Sequence, residues 1–160
     1  MMEGIDISDV FDESHVLLDL DAKTQDDVFH AVAEAAVRNG IADDANALYE
    51  GFLQREQEVT TGLMDGYAIP HTKNEAAKRA AMFYVRVPNP LPWETMDDSE
   101  VTNLFCLIAP ASCEGNPHLV MLSALATCLL EDDFKEAVAK AASAEELVSL
   151  VTEHIEKEVE

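Results

Sequence analysis

Basic residues are scarce in this sequence. Among its 160 residues, lysine and arginine together number 10 and aspartate and glutamate number 32, which gives a formal net charge of −22. Proteins that hold nucleic acid by its phosphates, or that dock on anionic lipid, need clustered lysine and arginine side chains. We therefore expect no nucleic-acid partner and no attachment to an acidic membrane surface.

Long apolar runs are also missing. No stretch of about eighteen apolar residues exists, so we expect no direct membrane insertion. Residues 1–13 contain acidic residues and no basic one, whereas a signal peptide begins with basic residues and continues as an apolar run. These features predict a cytoplasmic protein with an acidic N-terminal arm over about residues 1–13.

The few cysteines show no metal-ligand spacing. Cys106 and Cys128 lie in apolar runs typical of buried thiols, and Cys113 falls in a predicted loop. A histidine pair with Glu56 or Asp65 would be a weak metal set, because no H-E-x-x-H motif is present. The G-x-S-x-G, Walker A and G-x-G-x-x-G motifs are absent too. We expect no metal and no cofactor.

The acidic excess has two interpretations. It is typical of a host with a salty cytoplasm, where salt screens the self-repulsion of the surface. It is equally typical of an acidic protein whose partner is basic. In either case we expect the carboxylates, among them Asp43 and Asp44, to lie on remote helices and the N-terminal arm, leaving the pocket around His71 neutral or positive through Arg55 and Lys73.

Hydrophobic periodicity predicts helices interleaved with strands. Thr24, with Asp27 three residues later, predicts the start of a helix that ends at Asn39-Gly40. The other predicted helices cover residues 43–57, the segment after residue 117, residues 132–141 and the segment that follows Ser143. Apolar runs predict strands over residues 15–20, 80–87 and 101–109, with a loop over residues 88–99. The pattern predicts a single α/β (α+β) sandwich domain over residues 1–160, with a mixed β-sheet flanked by helices.

Of the histidines, His71 has the best-defined position. It follows a short apolar run and Pro70, whose ring restricts the backbone, at the point where we expect the chain to leave the sheet. Loops at strand ends often carry functional residues. A polar residue without a chemical role remains the alternative for His71.

His118 and Arg55 are the next candidates. His118 begins a helical stripe with Leu122, at a helix N-terminus whose free amides favour an anion. The alternative is a histidine packed on the sheet edge. Arg55 ends a helix and could grip a phosphoryl group with two donors, or simply complement the helix dipole. Thr60 and Thr61 could offer hydroxyls to the same anion, and Gly62 would let backbone amides approach it.

Two motifs resemble one protein family. Arg55-Glu56 followed by T-T-G-L, and G-Y-A-I-P-H-T ending at Thr72, resemble the IIA component of the bacterial phosphoenolpyruvate-dependent sugar phosphotransferase system, fructose/mannitol type. The similarity runs from about Ser8 to Glu156. The T-T-G-L and W-E-T-M segments look closer to the galactitol or pentitol branch than to the mannitol branch.

The resemblance implies a phosphocarrier with enzymatic phosphotransferase activity. His71 matches the phosphorylated histidine, and His118 and Arg55 match residues that stabilise the phosphoryl group. The donor is phospho-HPr, and the acceptor is a cysteine of a separate IIB chain, with the IIC permease downstream.

The resemblance leaves a second function open. A nitrogen-regulatory branch of the family uses the same histidine and binds partners according to its phosphorylation state. A third interpretation is a phosphate- or metal-binding enzyme that turns over a small substrate without a protein donor.

Overall fold

The computed structural model describes residues 7–111 and 117–158, which form a mixed sheet between two helical layers. The strands are β1 (Val16–Leu17), β2 (Tyr67–Ala68), β3 (His71–Asn74), β4 (Ala81–Leu91) and β5 (Val101–Pro110). The helices are α1 (Ile7–Val10), α2 (Gln25–Arg38), α3 (Ala45–Glu58), α4 (Pro117–Cys128), α5 (Asp132–Lys140) and α6 (Ala144–Glu158). The predicted fold, a mixed sheet flanked by helices, is confirmed. None of the helices in these ranges is both long and apolar enough to cross a membrane.

Strand β5 occupies the middle of the sheet, as its apolar run predicts. It pairs antiparallel with β4 on one side and parallel with β2 and β3 on the other. Strand β1 extends the sheet by pairing parallel with β4. Because β5 is bonded on both sides, it forms the support along which the short strands β2 and β3 are aligned.

Helices cover both faces of the sheet, so each central strand contains a continuous apolar run, residues 81–85 in β4 and residues 104–109 in β5. Leu104 and Cys106 of β5 pack into the core that includes Phe52 of α3. Phe105 and Leu107 face the opposite way, into a core closed by α4, α5 and α6. A strand buried on both faces loses the alternation of apolar and polar residues seen in half-exposed strands.

Local capping signals define the helix ends as predicted. The Thr24 hydroxyl accepts a hydrogen bond from the Asp27 amide at 3.1 Å and begins α2. The chain turns away after α2 at Gly40, whose φ of 73° is a left-handed conformation that glycine adopts without strain. Asp44 caps α3 in the same manner, and the Ser143 hydroxyl accepts from the Glu146 amide at 3.1 Å to begin α6.

Two expectations about the chain were wrong. The predicted N-terminal arm, whose residues 1–6 lie outside the described residues, does not include residues 7–11, because Ile7, Val10 and Phe11 are buried. Their i, i+3, i+4 spacing places three apolar side chains on one face, which anchors this segment in the core. The loop predicted from residue 88 begins later, since β4 continues through Leu91, which is buried and pairs with Val101 after a register shift.

Gly51 allows α3 to lie against β3. A Cβ atom at this position would stand 2.4 Å from Thr72 Oγ1 and 2.5 Å from Asn74 Nδ2. The Asn74 amide also donates to the Ala47 carbonyl of α3 at 2.9 Å. A glycine that looks unfavourable in a helix is therefore required by the strand that begins at His71.

We expect Gly51→Ala to destabilise the protein, although alanine is the better helix former. The methyl group must displace the buried Thr72 hydroxyl or break the bond from Asn74 to Ala47, at a cost of about 1–3 kcal/mol, against a gain in helix propensity of about 1 kcal/mol. Chemical denaturation measures the difference. The double variant Gly51→Ala, Thr72→Ala should recover part of the loss, and a single variant more stable than the native chain would contradict the packing argument.

Most of the acidic side chains in the described part of the chain form no ion pair. Among the described residues, only four carboxylates lie within ion-pairing distance of a lysine, and the amines belong to Lys135, Lys140 and Lys157. With a formal charge of −22, the surface repels itself wherever salt does not screen it.

Added KCl is therefore expected to raise the thermal unfolding midpoint. Most of the gain should be complete near 1 M, where the Debye length falls to about 3 Å. Each kcal/mol of repulsion relieved should raise the midpoint by roughly 2–4 °C for a chain of this size. A series of melts from low to high KCl measures the effect. A midpoint that stays flat or falls would mean that the carboxylates are already far enough apart.

Candidate active site

His71 begins a strand rather than leaving the sheet. The expectation that the chain leaves the sheet here was wrong, because β3 runs parallel to β5 with His71 opposite Leu107. Pro70 interrupts the edge between β2 and β3, but its carbonyl still accepts a hydrogen bond from the Leu107 amide at 2.9 Å. Sequence patterns do not predict this strand, because its residues H-T-K-N are polar. The contacts that make it a strand are with β5 and α3, which are distant in sequence.

A backbone contact orients the His71 ring. Its Nδ1 atom lies 2.9 Å from the carbonyl oxygen of Ile69. A carbonyl can only accept, so Nδ1 carries the proton and donates, and Nε2 keeps its lone pair. Burial lowers the pKa of His71, and the nearby Arg55 charge acts in the same direction, while the Ile69 bond and Glu56 oppose them. The ring is therefore a neutral nitrogen nucleophile at neutral pH.

An open pocket of about 900 Å³ lies between α3 and the β3 segment. His71 and Arg55, sixteen positions apart in sequence, both line it. Arg55 Nη1 donates to the Val59 carbonyl at 2.9 Å, just beyond the end of α3. Arg55 thus satisfies a helix-end carbonyl and also places a positive charge in the histidine pocket, so its two interpretations are compatible.

The pocket is more acidic than we expected. Besides Arg55 and Lys73, four carboxylates line it, those of Asp43, Asp44, Glu58 and Glu75. The expectation of a neutral or positive pocket, with Asp43 and Asp44 remote from it, was wrong. The reason is the direction of α3, whose N-terminal loop packs beside β3 through a hydrogen bond from the Asp43 amide to the Ala76 carbonyl.

Thr60, Thr61 and Gly62 lie around the carboxylate of Glu56. Glu56 Oε1 accepts from the Thr61 hydroxyl at 2.6 Å, and Oε2 accepts from the Thr61 amide at 2.7 Å. The Thr60 hydroxyl lies 3.1 Å from Oε2 and shares its one proton between that oxygen and the Glu94 carbonyl. Trp93 Nε1 donates to the same Oε2 at 3.1 Å. The Gly62 amide donates to the Thr60 hydroxyl at 3.1 Å. The Thr60 and Thr61 hydroxyls, predicted to bind an external anion, therefore lie against a carboxylate that belongs to the protein.

Gly62 permits a close crossing of two loops. A Cβ atom there would stand 2.2 Å from the Glu94 carbonyl oxygen, which also accepts from the Thr60 hydroxyl at 2.6 Å. Backbone oxygen cannot move aside as a flexible side-chain tip can. The glycine of the T-G segment is thus required for packing in this structure.

His118 lies in the first turn of α4, which begins at Pro117. Its side chain is outside the described residues, and so is Cys113. The two remaining cysteines are buried as expected. Burial raises the pKa of the Cys128 thiol to about 11 and also raises that of Cys106, which leaves both protonated and unreactive at neutral pH.

The weak metal set is not assembled in the part of the chain that the structure describes. There, no three histidine, cysteine or carboxylate side chains lie close enough to hold an ion. Asp65 instead pairs with the amine of Lys135, which raises the pKa of that lysine.

Glu56 is the residue of this site whose place sequence reasoning missed. It stood out only as half of the R-E pair and as a weak metal ligand. Its signal is the threonines four and five positions later, whose hydroxyls can reach back to a carboxylate at the end of a helix. Trp93, the remaining donor, lies 37 positions away and has no local signal.

Comparisons with known proteins show the family of the chain and support its fold. The family model described as "Phosphoenolpyruvate-dependent sugar phosphotransferase system, EIIA 2" matches residues 9–154. The fructose-specific EIIA component of Haloferax volcanii is 30% identical over 97% of this chain and 100% of its own length. The fructose-specific EIIABC component of Bacillus subtilis is 25% identical over 92% of this chain, which spans 23% of that longer protein. The crystal structure of the nitrogen regulatory protein IIA-Ntr from Neisseria meningitidis matches with a TM-score of 0.84 and 26% identity, over 91% of this chain and 98% of that one.

Proposed function

This chain belongs to the EIIA 2 family of the phosphoenolpyruvate-dependent sugar phosphotransferase system, and we propose that it carries a phosphoryl group on His71 between two protein partners. The family supports a role in phosphotransfer. The observation that carries the proposal is the His71 ring in a pocket shared with Arg55, with Nδ1 bound to Ile69 and Nε2 left as the nucleophile.

The proposed step is a displacement at phosphorus. The Nε2 lone pair of His71 attacks the phosphoryl group of phospho-HPr, the bond between phosphorus and the donor breaks, and its electron pair leaves with the donor. The ring becomes cationic when Nε2 is phosphorylated, and its Nδ1 proton stays hydrogen-bonded to Ile69. Transfer of this kind depends mainly on positioning and on neutralising the phosphoryl oxygens.

Arg55 is proposed to neutralise phosphoryl oxygens as the transfer proceeds. His118 is proposed to supply a second donor from the start of α4. Thr60, Thr61 and Gly62 would support the phosphoryl group from a distance, because they order the loop that precedes His71. No water needs to be activated in this scheme, and a carrier should exclude water so that its phosphoryl group survives.

The proposed acceptor is a cysteine of a separate IIB chain, which would phosphorylate sugar entering through a IIC permease. Because that sugar arrives inside the cell, the carrier would work in the cytoplasm. The acidic rim of Asp43, Asp44, Glu58 and Glu75 favours partners that present basic side chains around their reacting group.

The sugar is proposed from a relative rather than from the pocket. The Haloferax protein is named as fructose-specific, which makes fructose the first sugar to test. The similarity to the galactitol branch, like the single-domain organisation over residues 1–160, stays a prediction.

Reconstitution tests the proposal. The purified chain is incubated with labelled phosphoenolpyruvate, Enzyme I and HPr, and then with a IIB protein. We expect acid-labile label on this chain that depends on HPr and moves to the IIB cysteine. Omitting HPr is the control. A folded chain that acquires no label would contradict the proposal.

A nitrogen-regulatory role is the second candidate, favoured by the similarity to the Neisseria IIA-Ntr structure. Both roles predict labelling of His71, so labelling alone does not separate them. Onward transfer to a IIB cysteine supports the carrier. Label that is retained, together with binding to a partner that changes on phosphorylation, supports regulation.

A further inference from the structure

The Glu56 carboxylate, at the end of α3, accepts more hydrogen bonds from the protein than its partial exposure to solvent requires. It accepts hydrogen bonds from three donors, the Thr61 hydroxyl, the Thr61 amide and the Trp93 indole. The Thr60 hydroxyl also lies within reach but shares its one proton with the Glu94 carbonyl. Glu56 is only half-buried, so water could satisfy it without this arrangement. Three donors around one carboxylate indicate that the loop is organised by Glu56.

The organised loop is attached directly to the segment that precedes His71. The Thr61 carbonyl accepts from the Ile69 amide at 3.1 Å, and the Leu63 amide donates to the Tyr67 carbonyl at 2.8 Å. Gly62 and Ala68 form an antiparallel bridge between these two bonds. Residues 61–63 therefore act as a short partner for residues 67–69, and their position fixes the position of Ile69.

Ile69 completes the connection, because its carbonyl accepts from His71 Nδ1 at 2.9 Å. The path runs from Glu56 to Thr61, from Thr61 to Ile69, and from Ile69 to the imidazole. Every link is a hydrogen bond of 2.6–3.1 Å.

We propose that Glu56 is a positioning residue that holds the His71 imidazole in the Nδ1–H tautomer through Thr61 and Ile69. The inference rests on the proposed function for its purpose, since only this tautomer leaves Nε2 free to attack phosphorus. Glu56 does not touch the reacting atoms in this scheme. Its negative charge also acts on the ring directly, because it favours the protonated form and so raises the pKa of His71 against the effect of burial.

The test measures the ring itself, in the absence of any phosphoryl donor. Nitrogen-15 NMR of the imidazole reports the tautomer ratio and the pKa of His71 in the full chain. Glu56→Ala removes both the acceptor and the charge, so we expect the minor tautomer to increase roughly three- to tenfold, the range of one lost hydrogen bond, and the pKa of His71 to fall. Phosphoryl acceptance should slow by a similar factor.

Two further variants separate the effect of the loop's position on the tautomer ratio from the effect of the Glu56 charge on the pKa of His71. Glu56→Gln keeps an oxygen that accepts from the Thr61 amide and has an NH₂ group that can donate to the Thr61 hydroxyl, so it should largely restore the tautomer ratio while the pKa stays low. Thr61→Val keeps the charge and removes the bond to Glu56 Oε1, so it should shift the tautomer ratio and leave the pKa nearly unchanged. If Glu56→Ala does not fold, Thr61→Val decides.

Glu50→Ala is the matched control, because Glu50 is an exposed carboxylate on the same helix and takes no part in the path. It should leave the tautomer ratio unchanged. Folded Glu56→Ala and Thr61→Val variants with the native tautomer ratio would overturn the inference, as would a shift of the same size in Glu50→Ala. If the native chain accepts no phosphoryl group but the tautomer shifts as expected, the proposed function fails and the positioning role stands.

Discussion

Replacing His71 with alanine is expected to abolish phosphoryl acceptance completely while the protein remains folded. The imidazole is the nucleophile in the proposed step, and alanine offers no nitrogen in its place. The side chain is only partly buried, and among the described residues its ring bonds only to a local carbonyl, so we expect the fold to tolerate its removal. Labelling from phosphoenolpyruvate through Enzyme I and HPr measures acceptance, and circular dichroism measures folding.

His30→Ala serves as the matched histidine control, since His30 is an exposed residue of α2 that stacks on Tyr49. That variant should accept label at the native rate. Acid-labile label on folded His71→Ala at a normal rate would show that another residue is the acceptor. A peptide map that places the label on His118 would identify the alternative directly.

Replacing Arg55 with alanine is expected to slow phosphoryl acceptance by roughly two to three orders of magnitude, the usual effect of removing one donor to a developing oxyanion. The guanidinium shares the pocket of His71 and is always charged. Arg55→Lys should recover part of the rate, because it restores the charge without the two-pronged donor geometry. Single-turnover transfer from phospho-HPr measures the rate.

Removing Arg55 is expected to shift the pKa of His71 in the opposite direction to removing Glu56. The Arg55 charge lowers the pKa of His71, so its removal should raise that pKa and leave somewhat more of the ring protonated near neutral pH. Arg38→Ala is the control, since Arg38 is an exposed arginine in the last turn of α2. An Arg55→Ala variant that transfers at the native rate would show that Arg55 does not stabilise the phosphoryl group and serves only as a hydrogen-bond donor to the Val59 carbonyl.

The chemistry of the pocket and the stability of the scaffold are thus tested by different measurements. Variants of His71 and Arg55 examine the chemistry of the pocket, whereas the salt series and Gly51 variants examine the scaffold that assembles it. The tautomer of the His71 ring connects the pocket chemistry with the scaffold, because the scaffold sets it through Ile69 and the proposed transfer requires it.

Local physics made much of the fold predictable. Thr24, Asp44 and Ser143 cap helices with their own side chains, and a capping bond spans only three residues. The apolar runs of β4 and β5 were recognisable because strands covered on both faces are continuously hydrophobic. The motif around His71 made this residue the candidate nucleophile from local signals alone, since Pro70 and the short apolar run before it all lie within a few residues of it.

Other features depend on contacts between distant segments. Strand β3 is invisible in its own four letters, because what makes it a strand is the edge of β5 and the close approach of α3 at Gly51. The acidic rim of the pocket was predicted to lie elsewhere, since periodicity shows which face of a helix is buried and not which neighbour its end will meet.

The sequence by itself therefore determined the candidate nucleophile, its arginine and the helices that surround them, because each of these signals spans less than one helix or strand. Only the tertiary structure decided how the His71 ring is held. Its Nδ1 atom donates to the Ile69 carbonyl, and the loop bonded to Ile69 packs around Glu56, whose carboxylate also accepts from Trp93, 37 positions further along the chain. Hydrogen bonds between loops form only after the sheet and α3 have brought those loops together, so no local pattern encodes them.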